Sequence, residues 1–208
     1  MTPKDYFDEV WNRADLFATL HAYVINNVAA VIQPDELLRA EWVMRVSALD
    51  LYIHEAVSQN LLKIFQGTRS VCPGYSKLQI SSDALMTIHA NGPSLASDAA
   101  FDLEIRTKLA RATYQFPDDI ADGLRMVSPI DLWNEIARYH GAAPAQVNKE
   151  AAVLRGELTQ IVNRRNKIVH EGDMQPSIPR MPWPISRQDV DHVRTIIERI
   201  VCGIEAKI

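Results

Sequence analysis

The sequence predicts an all-α protein, and three observations support this fold class. Apolar residues recur at the three- and four-residue intervals of amphipathic helices through most of the chain. Helix-capping residues precede these segments, and no segment keeps the two-residue alternation of a β-strand. A chain of 208 residues with 47% apolar content can bury one hydrophobic core, so we expect a single domain over residues 1–208.

Two long helices open the chain, and each begins beside a proline. Thr2 is a suitable N-cap for a helix that has Pro3 in its first turn, and this helix should end before Pro34. Pro34 and Asp35 then repeat the start signal for a second helix that continues to Gly67 and forms the centre of the fold. Its apolar positions are Leu38, Trp42, Val46, Leu49, Ile53, Val57 and Ile64.

Residues 67–128 differ from their surroundings because glycine, proline and serine interrupt the helical pattern. One short helix is predicted near residues 83–89, a longer one over 97–116, and another begins at Pro117. We interpret residues 67–128 as an insertion of loops and short helices within the bundle.

The last third of the chain carries two further long helices. A capping segment at Ser128 opens a short helix that ends before Gly141, and a long amphipathic helix follows from Ala145 to about His170. An irregular segment comes next, because it contains Pro176, Pro179, Pro182 and Pro184. Ser186 and Asp189 then form a capping box that starts the final helix.

Composition excludes several classes of function. The formal net charge of −4 means that any nucleic acid must be bound by a local basic patch. Cys72 and Cys202 lack metal-ligand spacing, and no glycine-rich phosphate loop is present, so we expect neither a metal nor another cofactor. Apolar stretches such as residues 28–32 are too short to span a bilayer, so a cytoplasmic protein without membrane contact is expected.

The helix from Ala145 contains one physically unusual residue. At about 100° per residue, Arg165 falls in the middle of the apolar stripe of this helix. A guanidinium stays charged, so Arg165 needs a carboxylate, an anionic ligand or a water-filled cavity. Asp50, at the edge of the apolar face of the second helix, is the candidate partner. The stripe consists of Leu154, Leu158, Ile161, Val162, Ile168 and Val169.

His170 lies at the end of the same helix and could act as a proton-transfer group. An arginine can neutralise a phosphodiester while a histidine moves a proton to or from oxygen. The spacing alone is weak evidence, because Arg187 and His192 repeat it. On spacing alone, a core ion pair between Arg165 and Asp50, with His170 bonding the last helical carbonyls, is the more common outcome.

A longer motif adds to the spacing. The run 163–173, Asn-Arg-Arg-Asn-Lys-Ile-Val-His-Glu-Gly-Asp, resembles the signature of the HEPN superfamily, particularly its RiboL-PSP-like branch. Residues 47–53 and 128–133 resemble the leucine-acidic helix segment and the segment before the motif helix of that family. The resemblance covers most of the chain, weakly outside the motif.

The resemblance implies an antiparallel helical bundle that forms a homodimer, with two motifs facing each other across one cleft. Many members of the family are metal-independent endoribonucleases, often toxins or phage-defence effectors paired with an antitoxin. In this sequence Arg165 and His170 would be catalytic, and Asn166 and Asp50 would support them. Arg164 and Lys167 would bind the RNA backbone.

Two alternatives remain open. Some members of the family are not catalytic and bind a nucleotide or a partner protein, so the same cleft could serve a binding module. In the other alternative, the motif is an internal ion-pair network and the protein is a scaffold.

Overall fold

The computed structural model describes residues 1–28 and 34–208, and the all-α prediction is confirmed. These residues contain no β-strand, and their single isolated bridge joins Met174 to Pro182. The α-helices are α1 (Pro3–Asn27), α2 (Asp35–Phe65), α3 (Ser82–Asn91), α4 (Leu95–Leu109), α5 (Pro117–Arg125), α6 (Leu132–Tyr139), α7 (Val147–Glu171) and α8 (Arg187–Glu205).

The capping residues start the helices where the sequence predicts. Thr2 and Ser186 each form a full capping box, with Asp5 and Asp189 respectively. The predicted helix over 97–116 is wrong at its C-terminal end, because α4 stops at Leu109. The residue that precedes Pro117 must be extended, which prevents the helix from continuing into α5.

Helix α2 is the centre of the core. It contacts α1, α4, α5, α7 and α8, and one hydrophobic cluster draws on all of these helices together with α6. Residues 67–128 contribute Phe101, Ile105, Ile120 and Leu124 to this cluster, so most of that segment packs onto the common core. Helix α3 is peripheral, since Ala84 is its one buried residue and α4 is its main contact.

None of the helices in the described residues combines the length and apolar character needed to cross a membrane. Most of the apolar stretch 28–32 lies outside the described residues.

Helix α7 extends beyond the core by two turns. Its apolar face is buried as far as Val162, but Ile168 is only partly buried and Val169 is 47% exposed. The predicted stripe is therefore wrong at its C-terminal end, because no other helix covers this part of α7 completely. The motif residues lie in these two turns.

Candidate functional site at the end of α7

Helix α7 ends in two consecutive residues with left-handed backbone. Gly172 has φ 62° and Asp173 has φ 56°. The backbone N–H groups of both residues donate to the carbonyl of Lys167, which is the usual way to satisfy the last carbonyls of a helix. Glycine adopts this backbone freely, and aspartate is one of the few other residues that tolerate it. The turn directs Asp173 back towards the protein interior.

Asp173 is a fully buried carboxylate between two arginines. Its Oδ2 atom accepts a hydrogen bond from Arg39 Nε of α2 at 3.0 Å and another from Arg164 Nη2 of α7 at 2.8 Å. Asp173 is 0% exposed and Arg39 is 5% exposed. A buried charge is tolerated when it is paired in this way. We call these three residues the Asp173 network.

Arg164, which is predicted to bind an RNA backbone, is engaged by contacts within the chain. Besides Asp173, Arg164 Nη2 donates to the carbonyl of Pro184 at 2.9 Å, and the guanidinium lies 5.6 Å from the ring centroid of Trp42. Arg164 lies about 100° from Arg165 around α7 and so projects away from the middle of the apolar stripe. However, the proline-rich segment covers that face of α7, so the side chain is used to hold this segment in place.

Residues 173–184 fold back on themselves as a short hairpin, which we call the proline hairpin. The Trp183 N–H donates to the Asp173 carbonyl at 2.8 Å, and the Gln175 N–H donates to the Met181 carbonyl at 2.8 Å. Arg39 Nη2 also donates to the Trp183 carbonyl at 2.7 Å. The hairpin is therefore tied to both α2 and α7.

Arg165, in contrast to Arg164, has no ion pair among the described residues. It is partly exposed, and its Nη1 donates to Asn166 Oδ1 at 3.0 Å. Its Nε is buried and has no hydrogen-bond partner in the described part of the chain. Asn166 thus holds one nitrogen of the guanidinium, and the charge of Arg165 is left without a carboxylate among the described residues.

Asp50 contacts Tyr114, Gln115 and His54, so the predicted ion pair between Asp50 and Arg165 is wrong. Its carboxylate accepts hydrogen bonds from the Tyr114 N–H at 2.7 Å and from Gln115 Nε2 at 3.0 Å, and it lies 3.6 Å from His54 Nε2. Burial raises the pKa of the Tyr114 phenol to about 12, and the charges of Asp50 and Asp119 add to this rise. Asp50 therefore supports the loop between α4 and α5.

His170 is exposed and lines an open groove between the end of α7 and the proline hairpin. Lys167 lies one turn before His170 on the same side of α7, and Arg180 contributes a further positive charge from the hairpin. The groove has a volume of about 640 Å³. We call it the motif groove; its lining residues are Lys167, His170, Glu171, Met174, Gln175, Pro176, Arg180 and Trp183.

Arg165 and His170 point to different sides of α7. Five residues along a helix give a rotation of about 140° and a rise of about 7.5 Å. Asn166 is four residues before His170 and shares its side of the helix. Within one chain, therefore, Arg165 is connected to the His170 side of α7 only through its hydrogen bond to Asn166.

A second buried network of charges lies between α1, α2 and α8. Glu41 is 0% exposed and accepts hydrogen bonds from Arg45 Nη2 at 2.7 Å and Arg187 Nη1 at 2.5 Å, with Arg194 Nη1 at 3.6 Å. Asp15 accepts from both Arg45 and Arg194. We call these five residues the Glu41 network.

Arg187 and His192, which repeat the spacing of Arg165 and His170, lie in different surroundings. Arg187 is engaged by buried Glu41, whereas His192 is exposed on α8. Among the described residues, no group of three or more His, Cys, Asp or Glu side chains is arranged to hold a metal ion.

Three residues of the site, Arg39, Arg180 and Trp183, carry no signal that the sequence interpretation used, and Asp173 ends the motif without a role assigned to it. Arg39 and Asp173 meet from positions 134 residues apart, so no local pattern links them. Arg180 and Trp183 lie in a proline-rich segment without helical periodicity. The one available clue was Arg39 itself, which lies three residues before Trp42 and therefore on the apolar face of α2.

Known proteins provide no further guide to the site. Comparison of the chain with protein-family models, with curated proteins and with solved structures finds no match.

Proposed function

We propose that this protein is a metal-independent endoribonuclease of the HEPN type that cleaves RNA as a homodimer. The observation that carries the proposal is the contrast between two adjacent arginines. Arg164 is neutralised by Asp173, whereas Arg165 has no carboxylate partner among the described residues and lies five residues before exposed His170 on the same helix. A cation without a carboxylate partner and an exposed imidazole, brought together across a dimer, suit an anionic substrate.

The proposed reaction is an internal transesterification of RNA. His170 takes the proton from a ribose 2′-hydroxyl, the 2′-oxygen bonds to phosphorus, and the bond from phosphorus to the 5′-oxygen breaks. The leaving 5′-oxygen takes up a proton, which the second His170 of the dimer would supply. Arg165 stabilises the charge that develops on the non-bridging oxygens. The products are a 2′,3′-cyclic phosphate and a 5′-hydroxyl end.

The geometry of one chain favours a site shared by two chains. Arg165 and His170 project on different sides of α7, so one helix cannot direct both at the same phosphate without help. Val169, which is 47% exposed between them, offers an apolar contact to a second copy. The proposed setting, a toxin or phage-defence effector controlled by an antitoxin partner, rests on the resemblance of the motif alone.

The test is RNA cleavage by the full-length protein in the presence of a chelator. Wild-type protein should produce cyclic-phosphate ends, and His170→Ala or Arg165→Ala should reduce the rate by at least about 100-fold. His89→Ala and Arg111→Ala are matched controls, since both residues are exposed and lie outside the motif groove. These controls should cleave like wild type.

Mixed dimers test whether the site is shared. Co-expressed Arg165→Ala and His170→Ala chains should form dimers that keep one residue of each kind and recover part of the activity. If wild-type protein binds RNA or a nucleotide at the groove but never cleaves RNA, the ribonuclease proposal fails in favour of the non-catalytic binding module.

A further inference from the structure

Trp183 differs from the other three tryptophans of the chain, and all four lie within the described residues. Trp11, Trp42 and Trp133 are core residues that are at most 7% exposed, whereas Trp183 is 37% exposed. Exposing a large aromatic ring costs the stabilisation that burial would give. An exposed ring beside a basic groove therefore suggests a binding role.

The surroundings of Trp183 are suited to a nucleic acid. Trp183 lines the motif groove, and Lys167 Nζ lies over its ring at 5.9 Å from the centroid. Arg180 and Gln175 line the same groove. An aromatic face next to cationic side chains is the combination that binds an unpaired base together with its flanking phosphates.

The backbone of Trp183 is fixed before any ligand arrives. Its N–H donates to the Asp173 carbonyl at 2.8 Å, and its carbonyl accepts from Arg39 at 2.7 Å and from Arg164 at 3.4 Å. The buried Asp173 network thus determines where the ring stands relative to His170. A preorganised platform loses less entropy on binding than a mobile side chain does.

We infer that Trp183 is a stacking platform for one unpaired base, and that the substrate class of the motif groove is single-stranded RNA. Lys167 and Arg180 would contact the adjacent phosphates. A base in a duplex has both faces covered by its neighbours, so it cannot stack on Trp183. This inference rests on the proposed function, because it assumes that the phosphate next to the stacked base is the one presented to His170 and Arg165.

Binding can be measured through the anisotropy of fluorescently labelled oligonucleotides, and the quenching of tryptophan fluorescence reports contact with Trp183. The probes are a single-stranded oligouridine, the same oligouridine paired with oligoadenine, and the matching single-stranded DNA, each titrated into full-length His170→Ala protein. The single strand of RNA should quench the fluorescence and bind best. Trp183→Leu should abolish the quenching and weaken binding roughly 5- to 150-fold, while Trp183→Phe should retain much of the affinity.

A second variant separates this role from a general effect on the hairpin. Ile178 is fully exposed in the proline hairpin and does not line the motif groove, so Ile178→Ala should bind like the parent protein. Equal binding of the duplex, tighter binding of DNA, or undiminished binding by Trp183→Leu would overturn the inference. Quenching by single-stranded RNA without cleavage by wild type would preserve the inference and reject the ribonuclease.

Discussion

The Glu41 network and the Asp173 network are both built from arginines around a fully buried carboxylate, but they differ in how completely they are satisfied. Arg45 is 0% exposed, and its three nitrogens donate to Glu41, Asp15 and the Trp11 carbonyl. Its guanidinium also lies 4.3 Å from the Trp11 ring centroid. The buried arginine of the Glu41 network is therefore fully paired, and none of the five residues lines the motif groove.

The Asp173 network leaves atoms without partners. Asp173 Oδ1 and Arg164 Nε are buried and have no hydrogen-bond partner in the described part of the chain. Leaving such atoms unpaired is costly, and natural proteins keep this cost mainly at functional sites. We infer that the Glu41 network stabilises the bundle, whereas the Asp173 network positions the proline hairpin, which forms one wall of the motif groove.

The largest expected effect comes from breaking the Glu41 network. Glu41→Leu leaves three arginines without their shared carboxylate and should lower the free energy of unfolding by about 3–5 kcal/mol. Urea denaturation measures this loss. Glu9→Leu on the exposed side of α1 should change stability by no more than about 0.5 kcal/mol. A loss below about 1 kcal/mol for Glu41→Leu would contradict the stabilising role of the network.

A smaller loss of stability but a larger effect on binding is expected at Asp173. Asp173→Asn keeps the size of the side chain and tolerates the left-handed backbone, but it removes the charge shared by Arg39 and Arg164. We expect a loss of about 1–3 kcal/mol in the free energy of unfolding and a weaker quenching of Trp183 by single-stranded RNA.

The control for this variant is Asp122→Asn, since Asp122 is exposed and far in sequence from the hairpin. It should leave both readouts unchanged. If Asp173→Asn destabilised the protein but bound RNA as tightly as wild type, the network would hold the fold without positioning the groove.

Most of the fold could be predicted from the sequence because helix signals are local. Thr2, Ser186 and Gly172 mark helix ends through contacts with residues a few positions away. The end of α4 could not be predicted so well. The residues that follow it are held by contacts distant in sequence, since Tyr114 and Gln115 donate hydrogen bonds to Asp50, which lies 64 residues from Tyr114.

The candidate site could be predicted only in part, for the same reason. The hydrogen bond between Arg165 and Asn166 joins adjacent residues, so a local motif can include it. Helical spacing flagged Arg165 as an arginine in an apolar stripe, but Arg45 satisfies the same criterion and is the one that is fully buried. Helical periodicity predicts which face of a helix is apolar, but it does not predict how far along that helix the neighbouring helices extend.

The smallest expected effect concerns the exposed edge of the Glu41 network. Burial tends to raise the pKa of Asp15, but hydrogen bonds and charges from Arg45 and Arg194 outweigh it and hold the pKa below its usual range. The stabilisation is therefore present at neutral pH and is lost as the pH falls below about 4. Because the Asp15 side chain is 45% exposed, its contribution should be about 1 kcal/mol or less. Asp15→Asn should thus be less stable than wild type at pH 7, and the difference should shrink at about pH 3 in urea denaturation. A difference that stays constant between the two pH values would show that Asp15 stabilises the protein through packing rather than through its charge.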